Sequence, residues 1–239
     1  MPLPTRIGRL RPPVLCFVVS RAVAKDGDLD KLVTDAIAGG VTMVQLRERE
    51  LLAGDQLELA RRLKAITRGK AMLVINDRVD VASAVEADGI ELPEHGLPTL
   101  VARNLIGRYA IVGRSVHDVD TAHKARREGA DFAIAGTMYE TSSHPELTKL
   151  NGPKLIEEIT KDNTFPVLGI GGIKADKVAE LIHAGAAGIA VTTAISEAPD
   201  AKAAAEELMK ALKEAWEAEA AIVAAATAAS SAPSTSPSA

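Results

Sequence analysis

The sequence predicts an α/β fold, a single (β/α)8 barrel of the TIM type. Short, continuously apolar runs alternate with amphipathic segments along most of the 239 residues. Strands that are apolar on both faces are typical of a parallel sheet covered by helices. Eight such units favour a closed barrel. A doubly wound open sheet is the alternative, but it normally carries its glycine-rich turn after the first strand.

The eight predicted strands follow one another with helix-like segments between them. They cover residues 13–20, 41–47, 71–77, 87–93, 109–116, 130–136, 165–172 and 186–195. The run GDQLELARRLKAITRGK, which precedes the third strand, has the spacing of an amphipathic helix. The glycine-rich run GIGG ends the seventh strand and not the first, which agrees with a barrel.

The two ends of the chain differ from its middle. We expect residues 1–12 to form an N-terminal arm and residues 13–222 to form the barrel domain, whose last segment, AKAAAEELMKALKEAWEAEAAI, indicates a strong helix. Residues 223–239 are rich in Ala, Ser and Pro. Such a composition cannot bury enough apolar surface to hold a fold, so we expect a disordered tail.

Composition and charge exclude several classes of partner. The formal net charge of −4 gives no electrostatic basis for binding nucleic acid. No apolar run approaches the roughly 20 residues of a membrane-spanning helix, so no membrane association is expected. Cys16 is the one cysteine, and it cannot form an internal disulfide. We therefore expect a reducing, cytoplasmic location.

Glycine and threonine pairs end the last two predicted strands. Gly171 and Gly172 close the seventh strand, and Thr192 and Thr193 close the eighth. The loops after these two strands frequently bind phosphate in barrels, because backbone N–H groups can approach an anion there. The sequence therefore predicts a phosphate site. Alternatively, the glycines only permit a tight turn and Thr193 only caps a helix.

Two arginines follow the second predicted strand in the run VQLRERE. Side chains alternate along a strand, so Gln45, Arg47 and Arg49 fall on one side if the strand continues. Guanidinium groups at a strand end suit a carboxylate or a phosphate, which they can bind with two parallel hydrogen bonds. The alternative for Arg49 is an ion pair with a neighbouring glutamate in solvent.

Asn76 and Asp77 end the third predicted strand. An amide and a carboxylate together form half of a typical Mg²⁺ site. The alternative is that Asp77 caps the helix that begins near Val79.

His117 follows the fifth predicted strand, two residues after Ser115. Imidazole titrates near neutral pH, so His117 is a candidate proton carrier. The alternative is that Ser115 caps the next helix and that His117 or Asp118 lies in its first turn. Three histidines with metal-ligand spacing are absent, so zinc is not expected.

An ordered set of motifs resembles the thiamine phosphate synthase/TenI superfamily over residues 13–215. The motifs are GVTMVQLRERE, VINDRVDVA, ADGIELP, VGRSVHDV, GADFAIAGTMYET, FPVLGIGGI and AGAAGIAVTTAI. The resemblance implies a barrel enzyme of thiamine biosynthesis. Synthases of this superfamily join a pyrimidine diphosphate to a thiazole phosphate and release pyrophosphate with Mg²⁺. TenI-type thiazole tautomerases move a proton to aromatise a thiazole carboxylate phosphate without a metal.

Three departures from the synthase pattern favour the tautomerase branch. Arg49 stands at a lysine position, Gly96 at the position of a magnesium-binding aspartate, and His144 at the position of a diphosphate-binding lysine. The pair Asn76-Asp77 matches the synthase pattern and keeps that alternative open.

The resemblance thus implies a metal-independent, TenI-like thiazole tautomerase, an isomerase without a cofactor, in which His117 moves the proton. The residues expected to bind the thiazole phosphate substrate are Arg47, Arg49, Asn76, Ser115 and Thr141, with its phosphate at Gly171, Gly172, Thr192 and Thr193. The alternative is a thiamine phosphate synthase, a transferase with Mg²⁺ at Asp77. A third hypothesis is a non-catalytic phosphate-ligand sensor. A homo-oligomer remains open.

Overall fold

The computed structural model describes residues 10–24, 26–141, 149–161 and 165–230, without the side chains of 228–230. Eight parallel strands close into a barrel in sequence order, and the last strand pairs with the first. The strands are β1 (Val14–Val19), β2 (Met43–Leu46), β3 (Met72–Asn76), β4 (Gly89–Leu92), β5 (Ile111–Val116), β6 (Phe132–Ala135), β7 (Val167–Ile170) and β8 (Gly188–Val191). Each lies within its predicted apolar run, so the predicted (β/α)8 fold is confirmed.

Helices follow the strands around the outside of the barrel. They are α1 (Leu29–Ala38), α2 (Ala53–Thr67), α3 (Val79–Ala84), α4 (Thr99–Ile106), α5 (Val119–Arg127), α6 (Gly152–Thr160), α7 (Val178–His183), α8 (Thr193–Ser196) and α9 (Ala201–Ser230), with short 3-10 turns at Arg21–Val23 and Ala175–Lys177. This order repeats the strand–helix unit that defines the fold.

The alternation of side chains along each strand builds two apolar layers. In β1, Leu15 and Phe17 face the helices, whereas Val14, Cys16 and Val18 face the barrel interior. All are buried because both faces of the strand are covered. Burial also raises the pKa of the Cys16 thiol, which makes it a packing residue and not a nucleophile.

The last helix, α9, packs along α1 and α7. Trp216 lies partly buried against the core, in the segment where the sequence predicts a docked helix. The helix runs past residue 222 to Ser230, and residues 231–239 of the predicted tail lie outside the described part. The domain boundaries therefore stay predictions.

Across the described ranges, no helix has both the length and the apolar character needed to cross a bilayer.

Candidate active site

A cavity of about 1290 Å³ opens at the C-terminal ends of the strands, where barrel enzymes carry their active sites. The structure brings all the residues predicted for the site to its wall: Arg47, Arg49, Asn76, Asp77, Ser115, His117, Thr141, Gly171, Gly172, Thr192 and Thr193. They come from the ends of different strands and from the segments that follow them, so the barrel closure is what assembles them. Their individual roles stay predictions.

Four polar side chains form the floor of this cavity. The Ser115 hydroxyl donates to Glu91 Oε1 at 2.6 Å, and Gln45 Nε2 donates to Glu91 Oε2 at 3.0 Å. Gln45 Nε2 also lies 3.3 Å from Asn76 Oδ1. These residues belong to the neighbouring strands β2, β3, β4 and β5, and their hydrogen bonds link the four strands in the barrel interior.

The carboxyl group of Glu91 is almost fully buried, with 2% of the residue exposed. Burial raises its pKa, and the Ser115 hydrogen bond and the charges of Arg47 and Arg114 partly oppose that shift. A buried carboxylate costs free energy unless it is paired or hydrogen-bonded. A residue held at such a cost in a cavity is a candidate functional group.

Cations flank the cavity on two sides. Arg47 is half-buried, and burial together with the nearby Arg49 lowers its pKa, against the opposing effect of Glu91. Arg49 is exposed at the mouth, and Lys174 lines the β7 side. Sequence analysis missed Lys174, although a lysine directly after GGI in a predicted phosphate loop was an available signal.

Asp77 does not cap α3. The backbone at Asp77 is in the left-handed region, with φ of 64°, and its N–H donates to the Glu91 carbonyl oxygen at 2.8 Å. In the described part of the chain, no side-chain capping bond is made at the start of α3. The Asp77 carboxylate is thus directed to the cavity wall rather than to the helix.

Gly96 lies directly beside Asp77. A β-carbon built at position 96 would come within 2.8 Å of Asp77 Oδ1 and 2.9 Å of Pro93 Cδ. The space for a second carboxylate at this position is therefore partly taken by the Pro93 ring.

The described residues do not form a metal site of protein groups alone. None of their clusters brings together three or more His, Cys, Asp or Glu side chains that could hold a metal ion. Mg²⁺ usually takes one or two protein carboxylates and completes its shell with water and substrate phosphates. Asp77, with open space towards the cavity, fits an ion that a bound diphosphate shares.

His117 presents one ring nitrogen to the cavity. Its Nδ1 lies 2.7 Å from the Gly136 carbonyl oxygen, and since a carbonyl only accepts, Nδ1 carries a proton. Its Nε2 lies 3.5 Å from Glu94 Oε2. The helix cap here is Asp118, whose Oδ1 accepts from the Thr121 N–H at 2.7 Å, so the capping alternative for Ser115 is wrong.

The two predicted phosphate loops meet the segment after β6. Gly171 and Gly172 have φ of 103° and 64°, and a β-carbon at 172 would lie 2.1 Å from the Glu140 carbonyl oxygen. The tight turn and the close packing of residues 137–140 therefore require these glycines, independently of any bound ligand. Thr192 is the cap position of α8 but makes no side-chain capping bond, and Thr193 is the first residue of the helix, so Thr193 is not the cap.

Arg114 points away from the cavity floor. Its guanidinium donates to the carbonyl oxygens of Leu97 and Glu94 at 2.6 and 2.7 Å, and it thereby fixes the loop between β4 and α4. The same loop positions the Glu94 carboxylate beside the His117 ring. Glu91 and Glu94 are polar residues near the end of the fourth predicted strand, the position from which the sequence predicts site residues on the neighbouring strands. His144, one of the three departures, lies outside the described residues.

Fold and cavity together define a barrel of the enzyme type, with a polar, cation-flanked pocket at its C-terminal face. The chain matches the family described as thiamine monophosphate synthase over residues 15–195. It therefore belongs to that family, as the ordered motifs predicted.

Individual relatives agree with this assignment. The chain is 42% identical to a putative thiamine-phosphate synthase of Geobacter sulfurreducens, over 83% of this chain and 93% of that protein. It is 39% identical to the thiamine biosynthesis bifunctional protein ThiM/ThiE of Symbiobacterium thermophilum, where it spans only 44% of the longer protein. The solved structure of thiamine phosphate pyrophosphorylase from Pyrococcus furiosus superposes with a TM-score of 0.77 at 33% identity, covering 87% of this chain and 97% of that one.

These relatives correct the expected activity. Further relatives 37% and 40% identical are also named thiamine-phosphate synthase, so the assignment as a thiazole tautomerase, an isomerase, is wrong. The error came from treating Arg49 and Gly96 as lost function. An arginine keeps the positive charge of a lysine, and one carboxylate can suffice for a substrate-bound Mg²⁺.

Proposed function

We propose that the protein is a thiamine phosphate synthase, which joins a pyrimidine diphosphate to a thiazole phosphate. The observation that carries this proposal is one large cavity with groups suited to an anion on two of its sides, which we call its two anion-binding edges. Arg47 and Arg49 lie on the β2 side, and Gly172, Thr193 and Lys174 lie on the β7–β8 side. Two phosphorylated substrates need two such edges, whereas a single monophosphate needs one.

In the proposed reaction, the thiazole nitrogen forms a bond to the exocyclic carbon of the pyrimidine. The bond from that carbon to the diphosphate oxygen breaks, and pyrophosphate leaves with the electron pair. Negative charge grows on the leaving oxygen, so fixed positive charge near it lowers the barrier. Arg47, half-buried and close to Arg49, supplies such a charge in a partly desolvated place.

Mg²⁺ is part of this proposal, and Asp77 would hold it together with the diphosphate. When bound, the ion supplies further positive charge to the diphosphate. The expectation of a cofactor-free enzyme belonged to the tautomerase assignment and is given up with it.

The remaining site residues orient the substrates. The glycine turn at 171–172 and the threonines at 192–193 would bind the thiazole phosphate through backbone N–H and hydroxyl groups. His117 would donate or accept at Nε2, since its Nδ1 is occupied by the Gly136 carbonyl oxygen. Thr141 lies at the same rim. A cytoplasmic location and a homo-oligomeric state stay predictions from the sequence.

The proposal is tested by complementation. A bacterial strain that lacks its own thiamine phosphate synthase needs thiamine in the medium. Expression of this chain should restore growth without thiamine, and expression of the Arg47→Ala variant should not. As a matched control, Arg61→Ala removes an exposed arginine paired with Glu58 and should restore growth. Absence of growth with folded, expressed wild-type protein would overturn the proposal.

A further inference from the structure

A smaller cavity of about 270 Å³ lies outside the barrel, between α4 and α5. Arg114 reaches this α4–α5 cavity because its side chain lies on the face of β5 opposite that of Ser115. The residues that line it and do not line the active site include Pro98, Thr99, Arg114, Thr121, Lys124 and Glu128. Glu94 and Gly96 line both cavities, so the β4–α4 loop forms the wall between the two.

The N-terminus of α4 opens at one end of the α4–α5 cavity. The cap position of this helix is Pro98, and in the described chain no side chain caps it. The N–H groups of a first helical turn have no partner within their own helix, and within the described residues those of Leu100 and Val101 form no other hydrogen bond. Free N–H groups and the helix dipole together favour an anion at such a helix start.

Thr99 provides a second, independent indication of a ligand. The residue is fully buried and lines the α4–α5 cavity. Its Oγ1 atom has no hydrogen-bond partner among the described residues. A buried hydroxyl without a partner is costly, and a ligand in the cavity would accept its proton.

Two basic side chains bring positive charge to the same cavity. The Arg114 guanidinium donates to the carbonyl oxygens of Leu97 and Glu94, and it has further N–H donors beyond these two. Lys124 Nζ lies 3.9 Å from Glu128 Oε1, which is too far for a hydrogen bond. The ammonium group of Lys124 is therefore free to turn towards a ligand.

The two carboxylates of the cavity lie away from the start of α4. Glu94 Oε2 is directed to the active-site side of the wall, 3.5 Å from His117 Nε2. Glu128 is the C-terminal cap position of α5, roughly 10 Å along the helix axis from Thr121 in its first turn. Because α4 and α5 both begin at the C-terminal face of the barrel, Glu128 lies at the far end from the α4 N-terminus.

We propose that the α4–α5 cavity is a binding site for a phosphate-class oxyanion, separate from the active site. The Thr99 hydroxyl and the first-turn N–H groups of α4 donate to the oxyanion, and Arg114 and Lys124 balance its charge. A tetrahedral oxyanion has enough acceptor oxygens for all of these donors. The site goes beyond the proposed synthase function, whose substrates bind on the other side of the β4–α4 loop.

The test is a titration of the isotope-labelled full chain with inorganic phosphate, followed by amide NMR at constant ionic strength with chloride as the balancing anion. The signals of Leu100 and Val101 report on the α4–α5 cavity, and the signal of Gly172 reports on the predicted phosphate loop. The variants are Thr99→Val, which keeps the branched shape and removes the hydroxyl, and Lys124→Gln. The matched control is Lys154→Gln, since Lys154 is an exposed lysine beside Glu158 on α6 in the same i,i+4 arrangement.

In the wild type and in Lys154→Gln, the Leu100 and Val101 signals should shift and saturate at millimolar phosphate. Thr99→Val should raise their dissociation constant by roughly 10-fold or more, the effect of losing a hydrogen bond to a charged group. Lys124→Gln should raise it by roughly 2- to 5-fold, because the lysine is exposed and screened. The Gly172 midpoint should be the same in all of these proteins.

Two results would overturn the inference. One is a wild-type titration in which Gly172 shifts and the start of α4 does not. The other is an unchanged dissociation constant at Leu100 and Val101 in the variants. The amide spectrum also shows whether each variant is folded, and the exposed position of Lys124 keeps the second result decisive if Thr99→Val does not fold. No product is measured, so either result is independent of the proposed synthase activity.

Discussion

The carbonyl oxygen of Glu140 lies 2.1 Å from the point where a β-carbon would stand at Gly172. The β6–α6 segment therefore packs closely on the turn after β7, which is the predicted phosphate loop. Gly172 also has a positive φ of 64°. A side chain at this position would therefore have to displace the backbone of Glu140 or change the backbone conformation of residue 172.

Gly172→Ala should therefore destabilise the protein and weaken phosphate binding together. The left-handed backbone and the clash should lower the free energy of unfolding by more than about 1 kcal/mol, measured by urea denaturation. The matched control is Gly54→Ala in α2, where a β-carbon meets nothing within 4 Å and alanine should be neutral or stabilising. Equal stabilities for the two variants would show that the Glu140 contact is unimportant.

Arg47 and Arg49 should differ in their effect on activity. Arg47→Ala removes a half-buried charge and should lower kcat/KM by roughly 100-fold or more, the usual effect of losing a transition-state donor. Arg49→Ala removes an exposed charge, which solvent screens, and should cost less. Steady-state kinetics on both variants compare the two losses of kcat/KM. A larger loss of kcat/KM for Arg49→Ala than for Arg47→Ala would contradict the assigned roles.

Asp77 should bind a divalent cation only together with diphosphate. Electron paramagnetic resonance of Mn²⁺, used as a probe for Mg²⁺, should show little bound ion with protein alone and clear binding when pyrophosphate is added. Asp77→Asn should weaken that binding by roughly 10-fold or more, since it removes the one carboxylate of the half-site. Asp80→Asn is the control, because that carboxylate is engaged by Arg78. Unchanged Mn²⁺ binding in Asp77→Asn would contradict the placement.

Asp118 should stabilise α5 in a pH-dependent way. The N–H of Thr121 lowers the pKa of the Asp118 carboxyl, so the stabilising contribution is present above about pH 4 and is lost as the pH falls through the lowered value. Asp118→Ala should cost about 1 kcal/mol near neutral pH, and its deficit should shrink below about pH 4. Asp118→Asn keeps a capping group that does not titrate. A deficit for Asp118→Ala that is constant across the pH series would be inconsistent with this role.

The barrel could be predicted because its signal is local and repeated. Each strand is an apolar run bounded by polar residues, and the run 13–20, for example, contains all of β1. Arg47, Asn76 and His117, which were predicted from their strand-end positions, line one cavity, because the C-terminal ends of parallel strands meet on one face.

The contacts across the cavity could not be predicted in this way. The pairing of Glu91 with Gln45 joins positions 46 residues apart, and the approach of Glu140 to Gly172 depends on how two loops pack. The alternation along β5 places Arg114 on the face opposite Ser115, but it does not reveal that Arg114 holds the β4–α4 loop. The branch of the family was also misjudged, because a missing protein ligand at Gly96 was treated as a missing metal, without counting the ligands that a substrate brings.

The central claim is tested most directly by quantifying both products after the purified protein is mixed with aminopyrimidine diphosphate and thiazole phosphate. Thiamine phosphate and pyrophosphate should form in equal amounts, and their formation should require both substrates and should stop when EDTA removes Mg²⁺. If neither product forms although calorimetry shows that the substrates bind, the synthase account is contradicted and a ligand-binding role without turnover is supported.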